Sequence, residues 1–260
     1  MIYLKTDEEI ELMRESNLLL GQTLGELAKW VAPGISTLKL DSIAEEYIRD
    51  NGGIPSCLGY SGYPNSICAS VNEQVVHGIP SGYVLKDGDI ISIDLCVLKN
   101  GFHGDSTYTF CVGEVSYDVR RLLKTTKEAL YLGIEQAVDG KRVGDISNAI
   151  QSYCEKKGYS VVREMCGHGI GKHMHEEPEV PNYGRRGCGP ILRSGMVIAI
   201  EPMINMGSRN IVIERDGWTT RTRDRKPSAH YELSVAVLEG KADILSTFKY
   251  VEEVLGDRFI

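Results

Sequence analysis

The sequence predicts an α/β (α+β) chain of two similar halves, about residues 1–113 and 114–260, with helices covering a mostly antiparallel sheet. Three observations carry this. The order helix, break, helix, glycine occurs twice at a constant offset: Gly34, Leu40, Tyr47 and Gly52 are matched by Gly140, Ile146, Tyr153 and Gly158. Two β-rich runs, Ile90 to Leu98 and Phe102 to Phe110, flank Asn100-Gly101, the strongest short signal for a two-residue hairpin turn. Further strand-like runs follow each helical pair.

In chain order, Thr6-Asp7-Glu8-Glu9 predicts a capping box, and Ile10, Met13, Leu20, Leu24 and Leu27 form an apolar stripe behind it. Pro33-Gly34 ends that helix. The next one turns Leu40, Ile43, Ala44 and Tyr47 inward and stops near Gly52-Gly53. A Gly/Tyr/Asn-rich loop from Ser56 to Asn65 leads through short strands to His77-Gly78-Ile79-Pro80, and then to the hairpin. Helical periodicity resumes at Leu122, Leu123, Ala129, Leu130 and Ala137, breaks at Asp139-Gly140, and returns with Ile146, Ala149, Ile150 and Tyr153. Gly-rich Cys166 to Gly171, a strand at Met196 to Pro202, and one continuous strand from Ala229 to Val237 complete the second half.

With 42% hydrophobic residues among 260, the chain has enough apolar material for a full core. A net charge of −7 supplies no global attraction to nucleic acid or acidic membranes. The N-terminus turns acidic at once and carries no apolar signal region, and no apolar run is long enough to span a bilayer. Seven scattered cysteines, none spaced as Cys-x-x-Cys, argue for a reducing cytoplasm rather than disulfides or structural zinc.

The chemistry lies in acids placed where acids are unfavourable. With Asn100 and Gly101 as the loop, Lys99 faces Phe102, Cys96 faces Asp105 and Asp94 faces Thr107. Side chains alternate along a strand, so Asp94 and Asp105 become diagonal neighbours on one face, within reach of one ion. The pair alone is equally compatible with a capping Asp and a solvated one. Further acids and a histidine change the balance: His168 in a Gly-rich loop, Glu201 before Pro202, and Glu232 in a strand. Four converging carboxylates would raise one another's pKa, and two divalent cations would cancel the repulsion. An oxygen-rich set with one imidazole suits manganese, iron or cobalt, with zinc also open.

The residues as written also resemble a known family. His77-Gly78-Ile79-Pro80, Ile93-Asp94-Leu95, Gly101-Phe102-His103-Gly104-Asp105, Gly167-His168-Gly169-Ile170-Gly171, His175-Glu176-Glu177-Pro178, Ile200-Glu201-Pro202 and Ser228-Ala229-His230-Tyr231-Glu232 look like the signature segments of type I methionine aminopeptidases, in order along essentially the whole chain. No large insertion of the type II enzymes interrupts the second half. The resemblance implies the pita-bread fold and a single catalytic domain over residues 1–260. It implies two divalent ions (Co, Mn, Fe or Zn) on Asp94, Asp105, His168, Glu201 and Glu232, with Asp105 and Glu232 bridging. It further implies a metal-bound hydroxide as nucleophile, with Glu201 as proton shuttle.

His175 would polarise the scissile carbonyl and stabilise the oxyanion, and His77 would orient the substrate backbone or help the leaving nitrogen, whereas His103 and His173 have no matching role and are read as structural. Family positions for the methionine pocket map onto Cys57, Tyr60, Tyr63, Cys68 and Trp218, with His77 at the rim. Met174 stands where the family commonly has Phe, which softens one wall. The implied substrate is the N-terminal methionine of nascent polypeptides whose second residue is small. A cytoplasmic monomer working near the ribosome is the corresponding expectation. The rivals are a proline-specific peptidase of the same fold, which usually carries an additional leading domain, and a catalytically dead binding module, which typically loses ligands and gains basic tails.

Overall fold

Asn100 and Gly101 both take positive φ, +53° and +79°, the turn whose twist matches an antiparallel pair. The computed structural model describes residues 1–260. Ile90–Lys99 and Phe102–Cys111 run antiparallel from that turn in the expected register: Lys99 opposite Phe102, Cys96 opposite Asp105, Asp94 opposite Thr107. Alternation then divides the faces. Ile91, Ile93, Leu95 and Val97 join the main apolar core, while Ser92, Asp94 and Cys96 point the other way.

This hairpin sits in a nine-stranded antiparallel sheet. From one edge the order is Ile54–Pro55, Ile90–Lys99, Phe102–Cys111, Glu232–Val237, Val197–Ile200, Gly167–Gly169 and Glu176–Val180. Cys68–Val71 pairs with Ile90–Lys99 as well, and Ala242–Ile244 with Glu232–Val237. Two three-stranded sheets flank it; one joins Met203–Asn205 to Ser228–His230, the other joins Gln74–Val76 to Thr220–Thr222.

The helices are α1 (Asp7–Ala28), α2 (Thr37–Asp50), α3 (Tyr117–Ile134), α4 (Val143–Lys156) and α5 (Lys249–Leu255). The capping box forms at Thr6 and Glu9, which bond each other's backbone N–H groups at 3.2 and 3.1 Å. Met13, Leu20, Leu24 and Leu27 behind it are fully buried. The repeat is exact in length: α2 and α4 start and end 106 positions apart, as do the strands Ile54–Pro55 and Ser160–Val161. α5 had no counterpart in the expected elements. It packs on α1 through close backbone approach at Gly25, where a Cβ would lie 2.6 Å from Tyr250 Cβ. No helix is long and apolar enough to cross a membrane.

The single strand expected over Ala229 to Val237 is two, Ser228–His230 and Glu232–Val237. Tyr231 is the corner. Its ring packs edge-on against Tyr108 at 5.1 Å and its hydroxyl donates to the Thr109 carbonyl at 3.0 Å. The chain thereby leaves Met203–Asn205 after His230 and joins Val197–Ile200 from Leu233. That corner places His230 and Glu232 on the wall of one cavity.

Candidate metal centre

On the face of the sheet opposite the core, a cavity of about 290 Å³ gathers every residue singled out above as a ligand, catalyst or pocket wall. Asp94, Asp105, His168, Glu201 and Glu232 form its floor. Cys57, Tyr60, Tyr63, Cys68, His77, Met174, His175 and Trp218 form its walls and mouth.

The floor is built by strand geometry. His168 lies between two glycines because neighbouring strands press on both: a Cβ at Gly167 would lie 2.3 Å from the Ala199 carbonyl oxygen, and one at Gly169 would lie 2.2 Å from that of Glu177. Glu232 lies opposite Thr107, whose hydroxyl donates to Glu232 Oε2 at 2.8 Å. Asp105, His168 and Glu232 come closest together, their ligand atoms all within 4.8 Å of one another. Asp94 and Glu201 line the same floor outside that group of three.

His168 shows what the floor lacks. Its Nδ1 lies 2.9 Å from the Gly169 carbonyl oxygen, which can only accept, so Nδ1 carries the ring hydrogen and Nε2 presents a lone pair. That lone pair faces Asp105 Oδ2 at 3.8 Å and Glu201 Oε1 at 3.7 Å. Burial, aided by the nearby His175, pushes the His168 pKa down to about 4, so the ring does not supply the missing charge. Asp105 Oδ1 and Glu232 Oε1 are buried with no hydrogen-bond partner. Burial, followed by repulsion among neighbouring acids, raises Asp105, Glu201 and Glu232 well above the carboxylate range. A cluster of acceptors with so few donors is what divalent cations satisfy. The oxygen-rich donor set fits such ions, and the Nδ1 bond is the orienting partner a ligating histidine uses.

The wall is apolar and sulfur-rich. Tyr63 and Trp218 meet edge to face at 5.2 Å, and His77 lies edge-on to Trp218 at 6.2 Å. His77 holds a left-handed φ of +58°, costly for a side-chain-bearing residue and often found at functional positions. Burial and the adjacent His230 push its pKa down to about 4. At the mouth, His175 Nδ1 lies 2.7 Å from the Tyr60 hydroxyl, and its ring packs on His168 at 4.3 Å. Met174 is buried beside it, and Met203, absent from the expected lining, completes the pocket with Cys57 and Cys68. His103, expected to be structural, bonds Ser56 outside the cavity.

Sequence reasoning missed His230. The ring is 1% exposed, neither nitrogen has a hydrogen-bond partner, and Nε2 stands 3.4 Å from Glu201 Oε2. The available signal is its spacing, two residues before Glu232 in a run whose pattern predicts one strand. We expect His230→Leu, which replaces the imidazole beside the Glu201 carboxylate with an apolar side chain, to lower kcat about tenfold, the scale of one polar contact to a charged group. His230→Gln, whose amide N–H can reach the same oxygen, should retain most of the rate. Steady-state kinetics of the two variants with one metal checks this.

Comparison with known proteins identifies the family and the fold. The model of metallopeptidase family M24 matches residues 11–239. The methionine aminopeptidase of Clostridium perfringens is 53% identical over 249 residues, covering 96% of this chain and 100% of that protein. The crystal structure of methionine aminopeptidase from Rickettsia prowazekii superposes with a TM-score of 0.94 at 40% identity, covering 95% of this chain and 100% of that one. A prolidase from Pyrococcus furiosus shares the fold, with a TM-score of 0.76, but is 22% identical and only 65% of it is covered. The chain belongs to metallopeptidase family M24, and within it to the type I methionine aminopeptidases.

Proposed function

We propose that this chain removes the N-terminal methionine from polypeptides with a small second residue, by metal-dependent hydrolysis in the cavity described above. One observation carries the reading: a His168 lone pair facing the Asp105 and Glu201 carboxylates meets unpartnered oxygens of Asp105 and Glu232 at the base of a pocket lined by Met, Cys, Tyr and Trp side chains. The base calls for cations, and the wall suits a thioether.

Asp94, Asp105, His168, Glu201 and Glu232 would hold two divalent ions, Mn, Fe, Co or Zn. Bound there, these supply Lewis acidity and lower the pKa of water to near neutrality. The protein does the rest. Glu201, held in a dry site beside Asp94, accepts a proton from the attacking water and delivers it to the leaving amine. His175 is kept neutral by partial desolvation and by His77. With Nδ1 accepting the Tyr60 hydroxyl, His175 Nε2 is free to donate to the oxyanion as it forms. His77 orients the substrate backbone beside Trp218. Tyr63, Trp218, Met174, Cys57 and Cys68 enclose the methionine side chain. A bulky second residue clashes at the mouth, which gives the size filter. The source of substrate is new chains leaving the ribosome, and the enzyme acts as a cytoplasmic monomer without binding nucleic acid.

The test is hydrolysis of Met-Ala-Ser, Pro-Ala-Ser and Met-Lys-Ser by metal-stripped protein titrated separately with Mn²⁺, Fe²⁺, Co²⁺ and Zn²⁺. Metal-dependent release from Met-Ala-Ser alone is expected, and the titration ranks the metals. Release from the proline peptide would move the chain to prolidase-like chemistry. No release with any metal, despite metal binding, would overturn the reading.

A further inference from the structure

The residues before α1 cross the back of the loop that carries Met174 and His175. Ile2 pairs with Glu177 in a parallel bridge, and the Lys5 N–H donates to the Gly195 carbonyl at 2.7 Å. The Lys5 side chain turns inward, where Nζ donates to Glu176 Oε2 at 2.7 Å and to the Tyr3 carbonyl at 3.3 Å. The two side chains are 5% and 4% exposed. Glu176 Oε1, the other oxygen of the same carboxylate, accepts the His173 N–H at 3.2 Å. One carboxylate thus ties the N-terminal strap to the loop. Packing around it is close: a Cβ at Gly171 would lie 2.7 Å from both Lys5 Cε and Glu176 Oε1.

A buried ion pair is a poor source of stability, because desolvation offsets most of the attraction; its best-attested use is to fix one arrangement among several. What this pair fixes is the backbone on either side of His175. The ring itself is held by few contacts: the Tyr60 hydroxyl, from a side chain 40% exposed, and the face of His168. Its aim therefore depends on the loop beneath it.

We propose that Lys5 is a positioning residue, which through Glu176 sets the loop from His173 to His175 and so aims His175 at the scissile carbonyl. The inference rests on the function proposed above and on the role of His175 in it. Lys5 touches neither substrate nor metal ligand, so its effect should be on turnover, not on metal loading.

The probe is Glu176→Gln in the metal-loaded full-length enzyme. The amide is isosteric but has one acceptor oxygen, so it must give up either Lys5 or the His173 N–H. The double variant Lys5→Met/Glu176→Gln removes both charges and serves if the single variant misfolds. For Met-Ala-Ser, kcat per bound Mn²⁺ should fall about tenfold, the scale expected when a catalytic group is displaced by a fraction of an ångström. KM and Mn²⁺ stoichiometry should be unchanged, and amides 171–177 should exchange hydrogen faster. The double variant should be no slower than the single one, since both break the same link. A kcat per bound metal equal to the wild type in either folded variant, even with a lowered Tm, would overturn the proposal. His175→Ala is measured alongside. If it is slow while Glu176→Gln is fast, the strap inference fails alone; if it too is as fast as wild type, the role given to His175 fails and takes the inference with it.

Discussion

Asp105→Asn is expected to abolish divalent-metal binding, and peptide hydrolysis with it, while raising the Tm of the metal-free protein. Asp105 belongs to the tightest part of the floor, with one oxygen 3.8 Å from His168 Nε2 and the other buried and unpartnered. Loss of even an outer partner of a metal ligand weakens binding roughly 10–100-fold, so loss of a residue that would itself be a ligand should exceed about 100-fold. The metal-free protein gains because one of several mutually repelling buried acids is gone. A gain of about 1 kcal/mol would appear as roughly 2–4 °C in a chain near this size. Calorimetry with and without metal, alongside metal titration, reads both halves. Full metal loading in this variant would remove Asp105 from the ligand set.

The same acids set a pH dependence of known sign. Their pKa values are raised on folding, so the folded state retains protons that the unfolded chain has released, and stability falls as pH rises above the ordinary carboxylate range. Buried histidines act oppositely. His77, His168 and His230, near 4 when folded, contribute stability that is complete well above 6.5 and lost as pH falls through it. The histidine contribution levels off only about one pH unit above 6.5, so from about pH 7.5 upward it is flat and the slope belongs to the acids. Chelated wild-type protein should lose Tm as pH rises above about 7.5, Asp105→Asn should lose less, and saturating Mn²⁺ should flatten the curve.

The floor of the site was legible because strand alternation is a rigid rule. Once Asn100-Gly101 marked the turn, the register from Asp94 to Asp105 followed, and it holds residue for residue. The helices were legible from caps and periodicity, and they meet the sheet on the face that Ile91, Ile93 and Leu95 predict. What pattern could not supply was the corner at Tyr231, since nothing local distinguishes a strand that changes partners from one that does not. His230 was lost with it. The gathering of His77, His175 and Trp218 around the floor came from family resemblance, because residues 40 to 140 positions apart carry no local signal of contact. The Lys5–Glu176 pair spans 171 positions and is invisible for the same reason.

Glu201→Gln is expected to lower kcat by about 10²–10⁴-fold while leaving KM for Met-Ala-Ser within a few-fold of the wild type. The amide keeps the size of the carboxylate and one oxygen donor, but it can neither accept nor return a proton at neutral pH. The surroundings make the substitution informative. Glu201 lies beside Asp94 on the floor of the cavity, 3.7 Å from His168 Nε2 and 3.4 Å from His230 Nε2. The pocket for the methionine side chain, centred on Tyr63 and Trp218, lies on a different wall and is untouched. An effect confined to kcat would therefore assign proton transfer to Glu201. A matching loss of metal at saturating Mn²⁺ would instead assign it ligation alone, so the two roles are separated by measuring metal content and kcat on the same sample. Wild-type turnover in Glu201→Gln would remove the proton-transfer role and leave His230, the nearest unpartnered imidazole, as the group to test next.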